Sequence, residues 1–231
     1  MALGLQLTAA ELEALRLSLE VSLAATALVA VPGVALGLLL ARCRFPGKLL
    51  LDAVVHLPLV LTPVVVGVLL LSVFGRGGPF GEGFAFTRGA AVLAAATVAL
   101  PLVVRSVRTA AELVDERLLE AAAVLGAGPL RRLFTVVLPL AAPGVIAGLT
   151  LGFARSLGEF GATITFAGNI AGETRTLPVA IYTAIQSPDG DGAALRMTAL
   201  SVLVSLVSLG ISELLLRRMR AQAVRDQGGL R

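Results

Sequence analysis

Tryptophan is missing from this chain, and tyrosine, histidine, cysteine and lysine each occur once, as Tyr182, His56, Cys43 and Lys48. Each scarcity closes a class of function. A lone cysteine has no partner for an intrachain disulfide, so Cys43 reads as a small apolar residue. With one histidine and one cysteine there is no HExxH pair, no Cys/His or Ser/His/Asp grouping and no metal-ligating cluster. His56, beside Asp52 at the entrance to an apolar run, reads as a cap or interfacial contact. Without tryptophan, and with no interleaving of arginine and aromatic residues, there is no stacking platform for single-stranded nucleic acid, and no nucleic-acid partner is expected. A phosphate-binding P-loop needs a glycine six residues before its lysine and a Ser or Thr after it. Lys48 is followed by Leu49 and has Arg42 in the glycine position, so the chain carries no such loop. Charge is scarce too, at 15% of residues.

What fills the chain is apolar: 57% of the 231 residues, with a mean hydropathy of +0.92. That composition belongs in a bilayer. Charge-free or nearly charge-free runs cover residues 21–41, 57–74, 89–104, 133–154 and 197–211. A crossing takes about 20 residues, so the third and fifth runs extend over flanking charges, the fifth through Leu214–Leu216 past Glu213. The expectation is an all-α, polytopic membrane protein with one transmembrane domain over 15–216. Its five spans lie near 16–41, 49–74, 88–105, 133–155 and 194–216, with a cytoplasmic loop at 105–132 and a tail at 217–231. Region 160–185 is broken by Gly161, Gly168, Gly172 and Pro178 and reads as a helix end plus a loop; were it to cross, there would be six spans. Thirteen of the nineteen basic residues fall in 42–48, 105–132 and 217–231, all on one side of a five-span arrangement. The positive-inside rule puts that side in the cytoplasm and the short, net-acidic N-terminal segment outside. No basic n-region precedes the first apolar run, so no cleaved signal peptide is expected.

The loop at 105–132 holds the densest pattern. Residues 109–125 are rich in Ala, Leu, Glu and Arg, strong helix formers, and Leu118, Ala121, Ala122 and Leu125 form one apolar stripe. Gly126 stands where a left-handed residue ends a helix, and Gly128-Pro129 starts another. Two short helices joined at a glycine corner make a compact knob. The small residues Ala121, Ala122, Gly126 and Ala127 admit a partner backbone, and Glu120 offers a carboxylate to a partner arginine or to the loop's own amides. From the spacing alone, an ordinary solvated loop helix explains the same pattern.

Glu120, Ala121 and Ala122, then Gly126, then Val136, Leu138 and Pro139 stand at the spacing of the EAA loop: EAA, three residues, Gly, nine residues, Ile-x-Leu-Pro. Only the isoleucine is changed, to Val136. The chain thus resembles the permeases of ABC importers. The segments 153–163 (Phe-Ala-Arg-Ser-Leu-Gly-Glu-Phe-Gly-Ala-Thr) and 172–176 (Gly-Glu-Thr-Arg-Thr), with His56-Leu57-Pro58 and Pro63-Val64-Val65-Val66-Gly67 upstream, are similar to the molybdate permease family in particular. Sulfate permeases share the Gly-Glu-Phe/Tyr-Gly core. The resemblance implies import of molybdate or tungstate through a homodimeric pathway in the bacterial inner membrane. Two separate ATPase subunits would carry ATP and Mg²⁺ and dock on the EAA loops, and a periplasmic or extracellular binding protein would deliver the anion. The chain itself would be no enzyme and bind no cofactor. A sulfate importer permease is the same-class alternative, and an ATP-independent secondary transporter the other. The latter predicts buried proton relays or repeated halves, and neither is evident.

The fourth run suits a pathway wall. Gly144, Gly148 and Gly152 make one smooth face, read first as helix contact, as do Gly33 and Gly37 in the first run. Pro139 and Pro143 bend its start. Arg155 and Glu159, one turn apart, either pair with each other or leave Arg155 to attract the anion, with Ser156, Thr163, Thr165 and Asn169 as polar lining. Asp189-Gly190-Asp191-Gly192 lacks the rest of a calcium loop and reads as an external turn.

Overall fold

The computed structural model describes residues 7–80 and 83–228; beyond Ile211, side chains are described only for Glu213, Leu214 and Arg217. The described residues are helical and contain no strand. The helices are α1 (Ala9–Arg42), α2 (Lys48–Val60), α3 (Pro63–Phe74), α4 (Arg88–Glu112), α5 (Glu116–Val124), α6 (Pro129–Arg132), α7 (Leu138–Leu157), α8 (Leu177–Ile185) and α9 (Asp191–Gly228). A π-helical turn at Leu133–Val137 joins α6 to α7, and another lies at Thr163–Ala167. Four stretches are long and apolar enough to cross a membrane: Ala9–Arg42, Arg88–Glu112, Pro129–Leu157 and Asp191–Ile211.

α4 is the centre of the bundle. Ala91, Ala94, Ala95, Ala99, Val103, Val107 and Ala111 are fully buried along it. The reason is two glycine faces that clasp it. A Cβ at Gly33 or Gly37 of α1 would lie 2.8 Å from Val103 Cγ1 or 2.7 Å from Val107 Cβ. On the other side, a Cβ at Gly144 or Gly148 of α7 would lie 2.2 Å from Ala110 Cβ or 2.9 Å from Ser106 Cβ. In lipid, where burial of apolar surface gives no driving force between helices, such backbone approach supplies the dispersion contact. Ser106 Oγ adds a 2.9 Å hydrogen bond to the Gly144 carbonyl.

The second expected span, 49–74, is not one helix. α2 and α3 meet at a 116° bend. Pro63 opens α3, and the residue before a proline is driven out of the α region, so Thr62 is extended (ψ 143°) and Leu61 likewise (ψ 146°). At 13 and 12 residues, each half is roughly 20 Å long, short of a full crossing by itself. The near half is tied to α4: Arg108 Nη1 reaches Asp52 Oδ1 at 2.9 Å and Nε reaches Glu112 Oε1 at 2.8 Å, while His56 Nδ1 lies 2.9 Å from the Asp52 carbonyl. His56 is thus a half-buried contact within α2, beside the carboxylate that Arg108 of α4 holds.

Other boundaries shift for local reasons. α1 starts at Ala9, not 16, because Thr8 and Glu11 close a capping box. Glu11 therefore does not belong to a free acidic tail: it is 3% exposed and paired with Arg196 of α9 at 2.6 Å. The third span extends past 105 to Glu112, and the fourth begins at Pro129, not 133. Region 160–185 holds no helix long enough to cross; α8 has nine residues, and Phe166 of the π-helical turn is buried in a ring cluster with Phe74 (6.3 Å) and Phe84 (6.2 Å). The tail at 217–231 continues α9 as helix to Gly228; Arg231 and the side chains of Leu215, Leu216, Arg218, Arg220 and Arg225 lie outside the described residues.

Candidate coupling elbow and pathway region

Between the end of α4 and the start of α6, the chain leaves the bundle and returns. Asp115 caps α5, its Oδ1 accepting from the Arg117 amide at 2.9 Å. At the far end, the Gly126 amide donates to the Ala123 carbonyl and the Ala127 amide to the Ala122 carbonyl, each at 2.9 Å. That pair of bonds is a Schellman closure, and Gly126 takes the left-handed conformation it requires, φ +82°. Gly128 and Pro129 then start α6, the latter in the first turn where its missing N–H costs nothing. The glycine corner foreseen from sequence is present, with one difference. The second of its two helices does not stand alone but runs on through the π-helical turn into α7, 29 residues from Pro129 to Leu157.

The distal part of the motif accounts for that turn. Pro139 has no N–H to offer the Thr135 carbonyl. The Leu138 amide instead donates to Leu133, five residues back, and the helix widens there. Val136 and Leu138 are half-buried in this joint and Pro139 is exposed.

On α5 only Leu119 and Ala122 turn inward to a half-buried position. Glu120, Ala121 and Ala123 are exposed, as are Leu118 and Leu125, the latter at 86%, and Val124 at 88%. The apolar stripe of Leu118, Ala121 and Leu125 therefore faces away from the bundle. Leucines held in the open beside a carboxylate make this helix a candidate contact surface.

The six residues proposed as pathway lining do not converge. Arg155 Nη1 lies 2.7 Å from Glu159 Oε2, a charge contact outside hydrogen-bond angles, with the carboxylate side chain 1% exposed. Glu159 Oε1 accepts from the Ala162 amide at 2.8 Å, so this carboxylate pins the end of α7 to the turn that follows. Of the two readings of Arg155, the ion pair is the one present. Ser156 is buried, with Oγ 3.4 Å from the Ala95 carbonyl of α4. Thr163 is buried in the π-helical turn. Thr165 Oγ1 donates to the Gly161 carbonyl (2.8 Å) and sits against Gly67, where a Cβ would lie 1.7 Å away. Asn169 is exposed and bridges Thr183 (2.9 Å) and Arg175 (2.6 Å). Among the described residues no group of His, Cys, Asp and Glu could hold a metal.

Two features escaped the sequence. A cavity of about 890 Å³ between α4, the elbow and α7 is lined by Arg105, Ser106, Thr109 and Gly144. Its one signal was Arg105, a charge on the flank of the third apolar run. Arg42, counted among the basic loop residues, closes the end of α4: its Nη2 donates to the carbonyls of Ala111 and Val114, the latter at 3.0 Å.

The pattern of binding-protein-dependent transport system inner membrane components matches residues 33–221. The chain belongs to that family. As such a component, it is 53% identical to the molybdenum transport system permease protein ModB of Escherichia coli K12, covering 95% of this chain and 99% of that one. It is 49% identical to its counterpart in Haemophilus influenzae (91% and 95% covered) and 45% identical to that of Mycobacterium tuberculosis H37Rv (86% and 77%). The MetNI methionine ABC transporter in an inward-facing conformation superposes with a TM-score of 0.73 at 18% identity, covering 90% of this chain and 95% of that one. A bacterial ABC transporter that imports alginate superposes at 0.75 and 17%, covering 92% and 80%. These two likenesses establish the inner membrane component's fold.

Proposed function

We propose that the chain is the permease subunit of an ATP-driven importer of molybdate, with tungstate as a second substrate, and that it couples to a separate ATPase through the elbow around Glu120–Ala127. The carrying observation is an outward-facing apolar helix, closed by Gly126, on the end of the same 29-residue helix that forms the α7 wall. Supporting the anion assignment are the relatives, each described as a molybdenum permease.

In this reading one transmembrane domain at 15–216 pairs with a second copy to form the pathway. Two ATPase subunits hold ATP and Mg²⁺ and cover the elbows, and an external binding protein delivers the anion. The chain's own residues bind no nucleotide or cofactor. The N-terminus lies outside and the tail in the cytoplasm, following the arginine distribution. Closure of the ATPases would drag α5. Because the turn at Gly126 is hydrogen-bonded at both ends and α6 is continuous with α7, the displacement would reach the glycine contact with α4 and the Arg155–Glu159 end as a rigid-body shift. Tight anion binding within the membrane would defeat release, so affinity resides in the external protein. Arg155, Ser156, Glu159, Thr163, Thr165 and Asn169 then act by shaping the outer end of the pathway.

The test is uptake into vesicles carrying the chain, its ATPase and the binding protein, with molybdate, tungstate and sulfate in competition. ATP-dependent molybdate entry, outcompeted by tungstate but not by sulfate, is expected. Entry at full rate without the ATPase would refute the reading, and sulfate preference would reassign the anion.

A further inference from the structure

Beneath the elbow, the turn between α1 and α2 faces α5 and the start of α6 across a cleft of about 730 Å³. Four cations line it: Arg42, Arg44, Lys48 and Arg132. Glu116 and Glu120 line it as well, yet among the described residues no ion pair within 4.0 Å joins either of them to any of the four. The Nε–H groups of Arg42 and Arg132 are shut off from solvent and have no hydrogen-bond partner. An unpaired buried donor is costly, the more so when it belongs to a charged group, so two on one wall need an explanation. Lys48 is also the first residue of α2, whose start at Gly47 has no side-chain cap. The Lys48 amide is taken by the Phe45 carbonyl at 3.3 Å, but the positive end of the helix dipole adds to the same field.

We propose that this cleft binds a tetrahedral oxyanion of the phosphate class, either the head group of an anionic lipid or a free anion in the cytoplasm. Forked guanidinium donors and a point-charge ammonium are the side chains that recognise such a group. A seated oxyanion supplies the acceptors that the Nε–H groups of Arg42 and Arg132 lack, and a small turn of each side chain brings that group onto one. The site joins α1, α2 and α6 next to Glu120, so its occupancy braces the elbow against the bundle. The inference is independent of which anion the pathway carries.

The experiment uses the full chain in phosphatidylcholine nanodiscs, with or without phosphatidylglycerol, and reads retained lipid by native mass spectrometry and melting temperature against inorganic phosphate. The double variant Arg44→Ala/Lys48→Ala leaves the bonds of Arg42 to α4 intact; Arg132→Gln keeps the side-chain length without the charge; Arg16→Ala/Arg76→Ala removes two charges elsewhere. Retention of phosphatidylglycerol by the parent chain, weakened about tenfold in the double variant and in Arg132→Gln but not in the control, establishes the lipid source. A melting temperature raised by phosphate in phosphatidylcholine alone, with the same dependence on the variants, establishes the free anion. Absence of both responses in the parent chain, or equal losses in the control, would overturn the proposal.

Discussion

The clasp around α4 and the elbow beyond it are made from the same short residues, alanine and glycine, to opposite effect. In the clasp a glycine is a missing side chain: Gly144 has Ala110 Cβ 2.2 Å from where its own Cβ would be, and Ala94, Ala95 and Ala99 are fully buried. In the elbow a glycine is a backbone conformation: Gly126 has nothing within 4 Å of where a methyl would stand and needs only its positive φ. Alanines there, at 121 and 123, lie in the open. One region is small so that its own helices can meet, and the other is small while still waiting for a neighbour. In the proposed function the two together are a stiff transmitter with an uncovered end.

The clasp should break hardest. Gly144→Leu forces four extra carbons into a space closed by Ala110, and the cost should reach about 3 kcal/mol or more, the upper range for overpacking. The folded fraction in detergent should fall and the melting temperature drop, with partial return in the double variant Gly144→Leu/Ala110→Gly. An unchanged melt would mean that α7 and α4 are not in contact as described.

Next is the outer end of α7. Arg155→Ala leaves Glu159 buried without its counter-charge, which should cost about 2 kcal/mol, less than in a fully enclosed pair because the guanidinium is part-exposed. Adding Glu159→Gln removes the stranded charge and keeps an acceptor for the Ala162 amide, so stability should recover. Uptake measured on both variants then separates the two roles. Recovery of transport with stability assigns the pair to architecture, and stable protein with lost transport assigns the guanidinium to the anion. No change in either quantity for Arg155→Ala would show that the ion pair is idle.

This split explains what could be read from the residues alone. The elbow was legible because its signals are local: Gly126, Gly128 and Pro129 act on neighbours in the chain, through helix ends and positive φ. The glycine faces were legible as contacts, but not that both seize the same helix, since Val103 and Ser106 carry no mark of it. The break at Thr62 is half visible in the residues: Pro58 and Pro63 in the second run are kink-formers, while 116° depends on what α3 packs against, including Thr165 at Gly67. Glu11 looked like a tail charge because its partner, Arg196, is 185 residues away. The polar lining failed to assemble for a related reason. Hydroxyls such as Thr165 find carbonyls within their own helical turn, which a list of residue types cannot reveal.

At the elbow, Gly126→Val should leave the membrane core untouched, since space is open, yet place a β-branched residue at φ +82°. The strain is about 1–2 kcal/mol, and the chain would relieve it by unwinding the end of α5. ATPase association by pull-down should weaken about tenfold with the melt of the bundle unchanged, and Gly126→Asn, which tolerates the left-handed region, should recover most of it. Equal binding by Gly126→Val would mean that the corner does not set the docking geometry.

Glu120→Ala should give the smallest loss, and it asks the sharpest question of the elbow. The carboxylate is exposed and makes no hydrogen bond or ion pair within the described residues, so its removal costs the isolated chain nothing measurable. Any effect must therefore arise at an interface. A charge on the rim of a protein contact contributes about 1 kcal/mol, roughly fivefold in affinity, and its contribution fades as salt rises. ATPase binding to Glu120→Ala should thus be weaker than to the parent chain at low salt and converge with it at high salt. A loss that persists undiminished at high salt would indicate a buried pair and a deeper contact than an exposed helix surface implies. No loss at any salt would leave the exposed Leu118, Val124 and Leu125 as the anchors, with the carboxylate a bystander.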